Sequence, residues 1–91
     1  MIKNNIEKSQ INFKKTISLL NKINSMVENK DYCVDIMQQN LAAIGLLKSA
    51  HHMLMENHLS TCFSNAMNSK NEKLKNDMID EILKVSKIAN K

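Results

Sequence analysis

Proline and tryptophan are absent from the 91 residues, and a single glycine, Gly45, stands near the middle. Aromatic residues are reduced to Phe13, Tyr32 and Phe63. Sheets need tight turns, and tight turns lean on Gly and Pro, so multi-stranded β folds are not expected. The glycine-rich loops of nucleotide-binding units are missing too. There is no arginine: all thirteen basic residues are lysine. No apolar run approaches the roughly 18–20 residues of a membrane span, and the N-terminus carries no signal-peptide core. With no nucleophile–base pair or open catalytic constellation, an enzyme is not expected either. What remains is an all-α chain, a single helical domain over residues 1–91. Its expected place is the cytoplasm, where its two cysteines would stay reduced.

The lysines are unevenly placed. The formal net charge is +4, and the first thirty residues alone carry six Lys against two Glu. A basic first third suits an anionic partner such as nucleic acid, although a solvated lysine-rich face would look the same.

Apolar spacing predicts three helices, at about 5–29, 32–67 and 72–89. In the first, steps of four and three run through Ile6, Gln10, Phe13, Ile17, Leu20, Asn24 and Val27, and Ile23 and Met26 widen the stripe. Asn29-Lys30-Asp31 breaks it, with Asp31 a suitable N-cap for the next helix. The second stripe is Cys33, Met37, Asn40, Ile44, Leu47, His51, Leu54 and His58. The third is Leu74, Met78, Ile82, Val85 and Ala89. The methionines read as core filler, His51 as a core or interface residue and His52 as a surface one. A middle helix of some 35 residues would be about 50 Å long, whereas a compact chain of this size has a radius of gyration of about 12 Å. The flanking helices cannot cover it, so an obligate oligomer is expected.

Cys33, His58 and Cys62 are the residues most suited to chemistry. His58 and Cys62 are four apart and share a helix face. Cys33 lies 25 residues before His58, within about 20° of whole turns, so the two point the same way, yet they are about 37 Å apart along the axis. An antiparallel pair of these helices, with its two-fold axis near Gly45, would bring Cys33 of one chain to His58 and Cys62 of the other. Close backbone approach at such a crossing would account for a glycine that costs a helix about 1 kcal/mol. Symmetry then gives two equal sites per dimer. Two sulfurs and one nitrogen form a soft set that favours Cu(I), whereas zinc would want a fourth ligand. The alternative is that both cysteines are small buried hydrophobes. Met53 and Met55 are not counted in the site.

Around these residues the chain resembles the CsoR/RcnR family of small bacterial repressors, which sense copper, nickel or cobalt, formaldehyde or persulfides. Tyr32-Cys33-Val34-Asp35, followed by Gln38 or Gln39, is similar to the family's first motif. His58-Leu59-Ser60-Thr61-Cys62 is similar to its second, and the resemblance covers roughly residues 12–89. It implies a three-helix subunit, an antiparallel dimer packed into a disc-shaped homotetramer, and an apo form that binds operator DNA. In copper-sensing members the ligands correspond to Cys33, His58 and Cys62. Tyr32 and a glutamate of the third helix, for which Glu81 is the candidate, would support the histidine from behind.

Nickel sensors have a His where this chain has Cys62, persulfide sensors lack the His, and formaldehyde sensors use an N-terminal Pro where this chain reads Met1-Ile2-Lys3. The ligand set therefore points to a Cu(I)-responsive repressor. The alternatives are a persulfide or thiol-redox sensor of the same fold, and a copper-binding helical oligomer that has lost DNA binding. The last is motivated by the missing arginines: Lys14-Lys15-Thr16-Ile17-Ser18 stands where the family carries a richer basic stretch. Lys8, Lys15 and Lys22 fall seven apart on one stripe with Lys14 beside it. As point charges they suit phosphate contacts rather than the bidentate reading of guanine.

Overall fold

The structure, a computed structural model, describes residues 4–89, and nearly all of them are helical. α1 spans Asn5–Glu28 and α2 spans Cys33–His58. α2 runs directly into a π-helical turn, Leu59–Phe63, and a last α-helical turn, α3, Ser64–Met67. After a short polar connection, α4 spans Glu72–Ala89. No strand occurs among the described residues, which form an all-α arrangement of three helices with a long middle one.

Local chemistry sets each boundary. Asn4 caps α1, its Oδ1 accepting from the Glu7 amide at 2.9 Å. At the far end the Lys30 amide donates to the Val27 carbonyl and the Asp31 amide to the Met26 carbonyl. These are the paired bonds of a Schellman ending, and they place Lys30 in the left-handed region at φ 57°. Asp31 is therefore committed to closing α1. The capping position of α2 falls instead on Tyr32, whose carbonyl accepts from the Asp35 and Ile36 amides. That corrects the expectation for Asp31. Asn71 caps α4, its Oδ1 accepting from the Leu74 amide at 3.1 Å.

The chain divides into two compact units between Glu56 and Asn57. In the first, α1 and α2 form an antiparallel hairpin: Asn12 Nδ2 donates to the Leu46 carbonyl at 3.1 Å, and Asn5 Nδ2 to Glu56 Oε2 at 3.2 Å. The seam is built from small residues seven apart, Ser9 and Thr16 on α1 with Ala43 and Ala50 on α2, and all four are buried. The two hydroxyls can sit there because each is satisfied on its own helix, Ser9 by the Ile6 carbonyl and Thr16 by the Asn12 carbonyl. Asn5, Asn12, Leu19, Ile23 and Met26 continue the seam on α1, half-buried, as do Ile36, Gln39, Leu46 and Met53 on α2.

This seam lies one residue before the stripe that apolar spacing selects, on both helices. A one-residue offset is a rotation of about 100°, so the large apolar side chains of the 4-3 stripe point away from the hairpin. Ile6, Phe13, Leu20, Val27, Ile44, Leu47 and Leu54 are exposed, and Ile17 and Met37 are 61% exposed. Of the methionines, Met26 and Met53 fill the seam, Met55, Met67 and Met78 are half-buried as well, Met37 is exposed, and Met1 lies outside the described residues. In the second unit Ala66 is buried where α3 packs on α4. On α4, Met78 and Ile82 are half-buried, while Leu74, Ile79 and Val85 are exposed.

Candidate metal centre

Cys33 and His58 are the first and last residues of α2. Cys33 follows the capping Tyr32 directly, and its thiol is exposed and unbridged. The Tyr32 ring is 67% exposed. Asp35 in the first turn complements the positive end of the helix dipole.

In the second unit His58 is half-buried and leads into the π-helical turn that carries Cys62. Two hydroxyls bond back at that turn. Thr61 Oγ1 donates to the Asn57 carbonyl at 2.6 Å and Ser60 Oγ to the same oxygen at 3.2 Å. Both reach the oxygen that the Thr61 amide would use in an α-helix, and over Leu59–Phe63 the ladder is i→i+5. In the wider turn four residues fall just short of one revolution, whereas in an α-helix they overshoot by about 40°. His58 and Cys62 thus remain one turn apart. The Cys62 Sγ is exposed, 3.8 Å from Thr61 Oγ1. The apolar spacing does not reveal this turn. Its one signal in the sequence is the Ser60-Thr61 pair.

The donor chemistry fits a soft ion: two exposed, unbridged thiols and one half-buried imidazole. Their exposure also means that neither cysteine serves as a buried hydrophobe within the chain. Cys33 lies in the first unit, and His58 and Cys62 lie in the second. Among the described residues no three His, Cys, Asp or Glu side chains gather to hold a metal ion. Glu81 is exposed on α4. Lys8, Lys14, Lys15 and Lys22 are exposed on α1. His51 is half-buried and His52 exposed.

A family-wide sequence profile described as metal-sensitive transcriptional repressor matches residues 19–87. The chain belongs to this family. The match takes in Tyr32, Cys33, His58, Cys62 and Glu81, while Lys8, Lys14 and Lys15 precede it. Among individual proteins, the copper-sensing transcriptional repressor CsoR of Mycobacterium tuberculosis (strain ATCC 25618 / H37Rv) is 45% identical over 42 residues, 46% of this chain and 35% of that protein. The protein of the same name from Mycobacterium ulcerans (strain Agy99) is 36% identical over 58 residues, 63% of this chain and 50% of that protein. The chain thus spans between a third and a half of the length of these relatives. The family is one of repressors rather than enzymes. Among the described residues no helix is long and apolar enough to cross a membrane.

Proposed function

We propose that this member of the metal-sensitive repressor family is a cytoplasmic Cu(I)-responsive repressor, in which the whole chain acts as one sensing and DNA-binding unit. Its apo form holds operator DNA through Lys8, Lys14, Lys15 and Lys22. Cu(I) is held between chains, by Cys33 of one and by His58 and Cys62 of its partner, in an antiparallel dimer that pairs into a disc-shaped tetramer. Tyr32 and Glu81 orient the His58 ring. When bound, Cu(I) would supply a soft cation for these three donors, and Cys33 of one chain would move toward His58 and Cys62 of its partner. The chains respond by shifting α1, and with it the lysines, out of register with DNA.

The observation that carries this reading is the unpartnered stripe of α2. It begins at Cys33, ends at His58 and holds the exposed Met37, Ile44, Leu47 and Leu54 between them. An antiparallel copy that buried those side chains would set each Cys33 against the other chain's His58. The copper-sensing names of the relatives support the choice of metal. Linkage requires DNA to weaken Cu(I) binding by the factor by which Cu(I) weakens DNA binding. A tenfold effect takes about 1.4 kcal/mol. The test is a titration of apo protein against its own promoter fragment, repeated with Cu(I). Tight apo binding released by Cu(I), and a large loss of Cu(I) affinity in Cys33→Ala, are expected. Unchanged Cu(I) affinity in that variant rejects the site.

The exposure of both thiols favours a second reading, a persulfide sensor that bridges Cys33 and Cys62 of opposite chains. Mass spectrometry after polysulfide treatment separates the two, since that reading requires a cross-linked dimer.

A further inference from the structure

Apart from that inter-chain centre, α2 carries His51-His52-Met53-Leu54-Met55. His51 and Met55 are four apart and His52 and Met55 three apart, the two spacings that make helical neighbours with Cβ atoms about 5–6 Å apart. At about 100° per residue, Met55 lies between the two imidazoles around the helix. Met53 belongs to the seam with α1, whereas Met55 points away from it. His51 and Met55 are half-buried and His52 is exposed, so the three donors border one patch that is open on the His52 side. His51 is part of the unpartnered apolar stripe, but His52 stands about 100° off it. Met55, 18 residues and so five whole turns after Met37, shares that stripe's face with His51, so a copy that covers the stripe leaves the patch open only on the His52 side.

We propose that His51, His52 and Met55 form a second soft-metal site, contained in one chain and taking a monovalent soft cation such as Cu(I). Two neutral imidazoles and a thioether suit such an ion, which accepts few and soft ligands. Within four residues of any of the three along the chain, Glu56 is the one acid. The nearest acid in sequence, Glu56, is turned to α1, where its carboxylate accepts from Asn5 Nδ2 at 3.2 Å. The exposed Lys48, three residues before His51 and four before His52, adds positive charge beside the patch. That repulsion doubles for a divalent ion. Zinc, which would want a fourth ligand as well, is therefore disfavoured.

This site does not depend on the thiolate centre, and the test separates them. The full chain carrying Cys33→Ala and Cys62→Ala is titrated with Ag(I) as the probe, following stoichiometry and the methionine methyl and histidine ring resonances. One Ag(I) per chain is expected, with the Met55 methyl and the His51 and His52 rings shifting together. The same shifts are expected in the unaltered chain on a second equivalent of Cu(I). Met55→Leu, which conserves apolar volume, and His52→Gln should each weaken Ag(I) by more than the roughly 10–100-fold that losing a supporting group costs a metal site. Their circular dichroism should not change. Failure of the thiol-free chain to bind Ag(I), or undiminished binding in Met55→Leu, overturns the proposal. Loss of the first Cu(I) equivalent in Cys33→Ala alone concerns only the thiolate centre.

Discussion

Two single residues on the hairpin carry opposite lessons about backbone freedom. Lys30 holds φ 57° because the Schellman bonds to Met26 and Val27 demand it, and an L side chain there costs about 1 kcal/mol that glycine avoids. Lys30→Gly should therefore raise stability by about 0.5–1 kcal/mol, read as a higher urea midpoint at unchanged slope. A lower midpoint would mean that the lysine side chain stabilises the turn in some other way. Gly45 is the reverse case: a Cβ built on it meets nothing within 4 Å. Within one chain Gly45→Ala should thus stabilise α2 by about 1 kcal/mol of helix propensity. If two α2 helices cross there, the added methyl must weaken the dimer instead. The expected result is a variant whose dissociation constant rises while its monomer becomes more helical, measured by sedimentation and circular dichroism over a dilution series. A dimer tightened by the alanine would move the crossing away from Gly45.

At the level of elements, helix positions were legible because period and punctuation agree. Apolar residues recur every three to four positions, and the breaks at Asn29-Lys30-Asp31 and Asn68-Ser69-Lys70-Asn71 are polar. The packing face was not legible from the same pattern. Spacing weights large apolar residues and so selected Phe13, Ile17 and Leu47, whereas the hairpin closes on Ser9, Thr16, Ala43 and Ala50. Small side chains let two helices approach closely, a property that an apolar count does not register. The donors of the candidate centre could be read from residue type and from their spacing at Cys33, His58 and Cys62. The geometry around two of them could not, because a π-helical turn of five residues leaves no mark on apolar spacing. Replacing Ser60 and Thr61 together with Ala should free the Asn57 carbonyl for the Thr61 amide and restore α register through residue 63. Amide exchange and backbone chemical shifts over residues 57–63 would register the change. Cu(I) affinity should fall as Cys62 rotates relative to His58. Persistence of the i→i+5 pattern would assign the turn to some cause other than the hydroxyls.

For the whole molecule the decisive fact is how little one chain buries. Its fully buried apolar residues among those described are Ala43, Ala50 and Ala66, whereas covering a large aliphatic side chain contributes roughly 1.5–3 kcal/mol. The exposed stripes of α1 and α2 are thus a substantial driving force for assembly. Ile17→Glu or Leu47→Lys should leave the hairpin seam intact and still dissociate the proposed oligomer, as sedimentation would register. The lysines lie on another side of α1. Lys8, Lys15 and Lys22 are roughly opposite its apolar stripe at about 100° per residue, so an assembly that hides the stripe leaves them on the surface. A row of point charges without arginine binds phosphates and neutralises them one by one. Affinity for DNA should then fall steeply with salt, by about 10³–10⁵ between 50 and 200 mM if six to ten phosphates are contacted across the assembly. Lys15→Ala with Lys22→Ala should weaken binding to operator and random DNA alike and make that slope shallower. A loss confined to the operator would instead make these lysines readers of bases. An unchanged slope would move the DNA surface off α1 altogether.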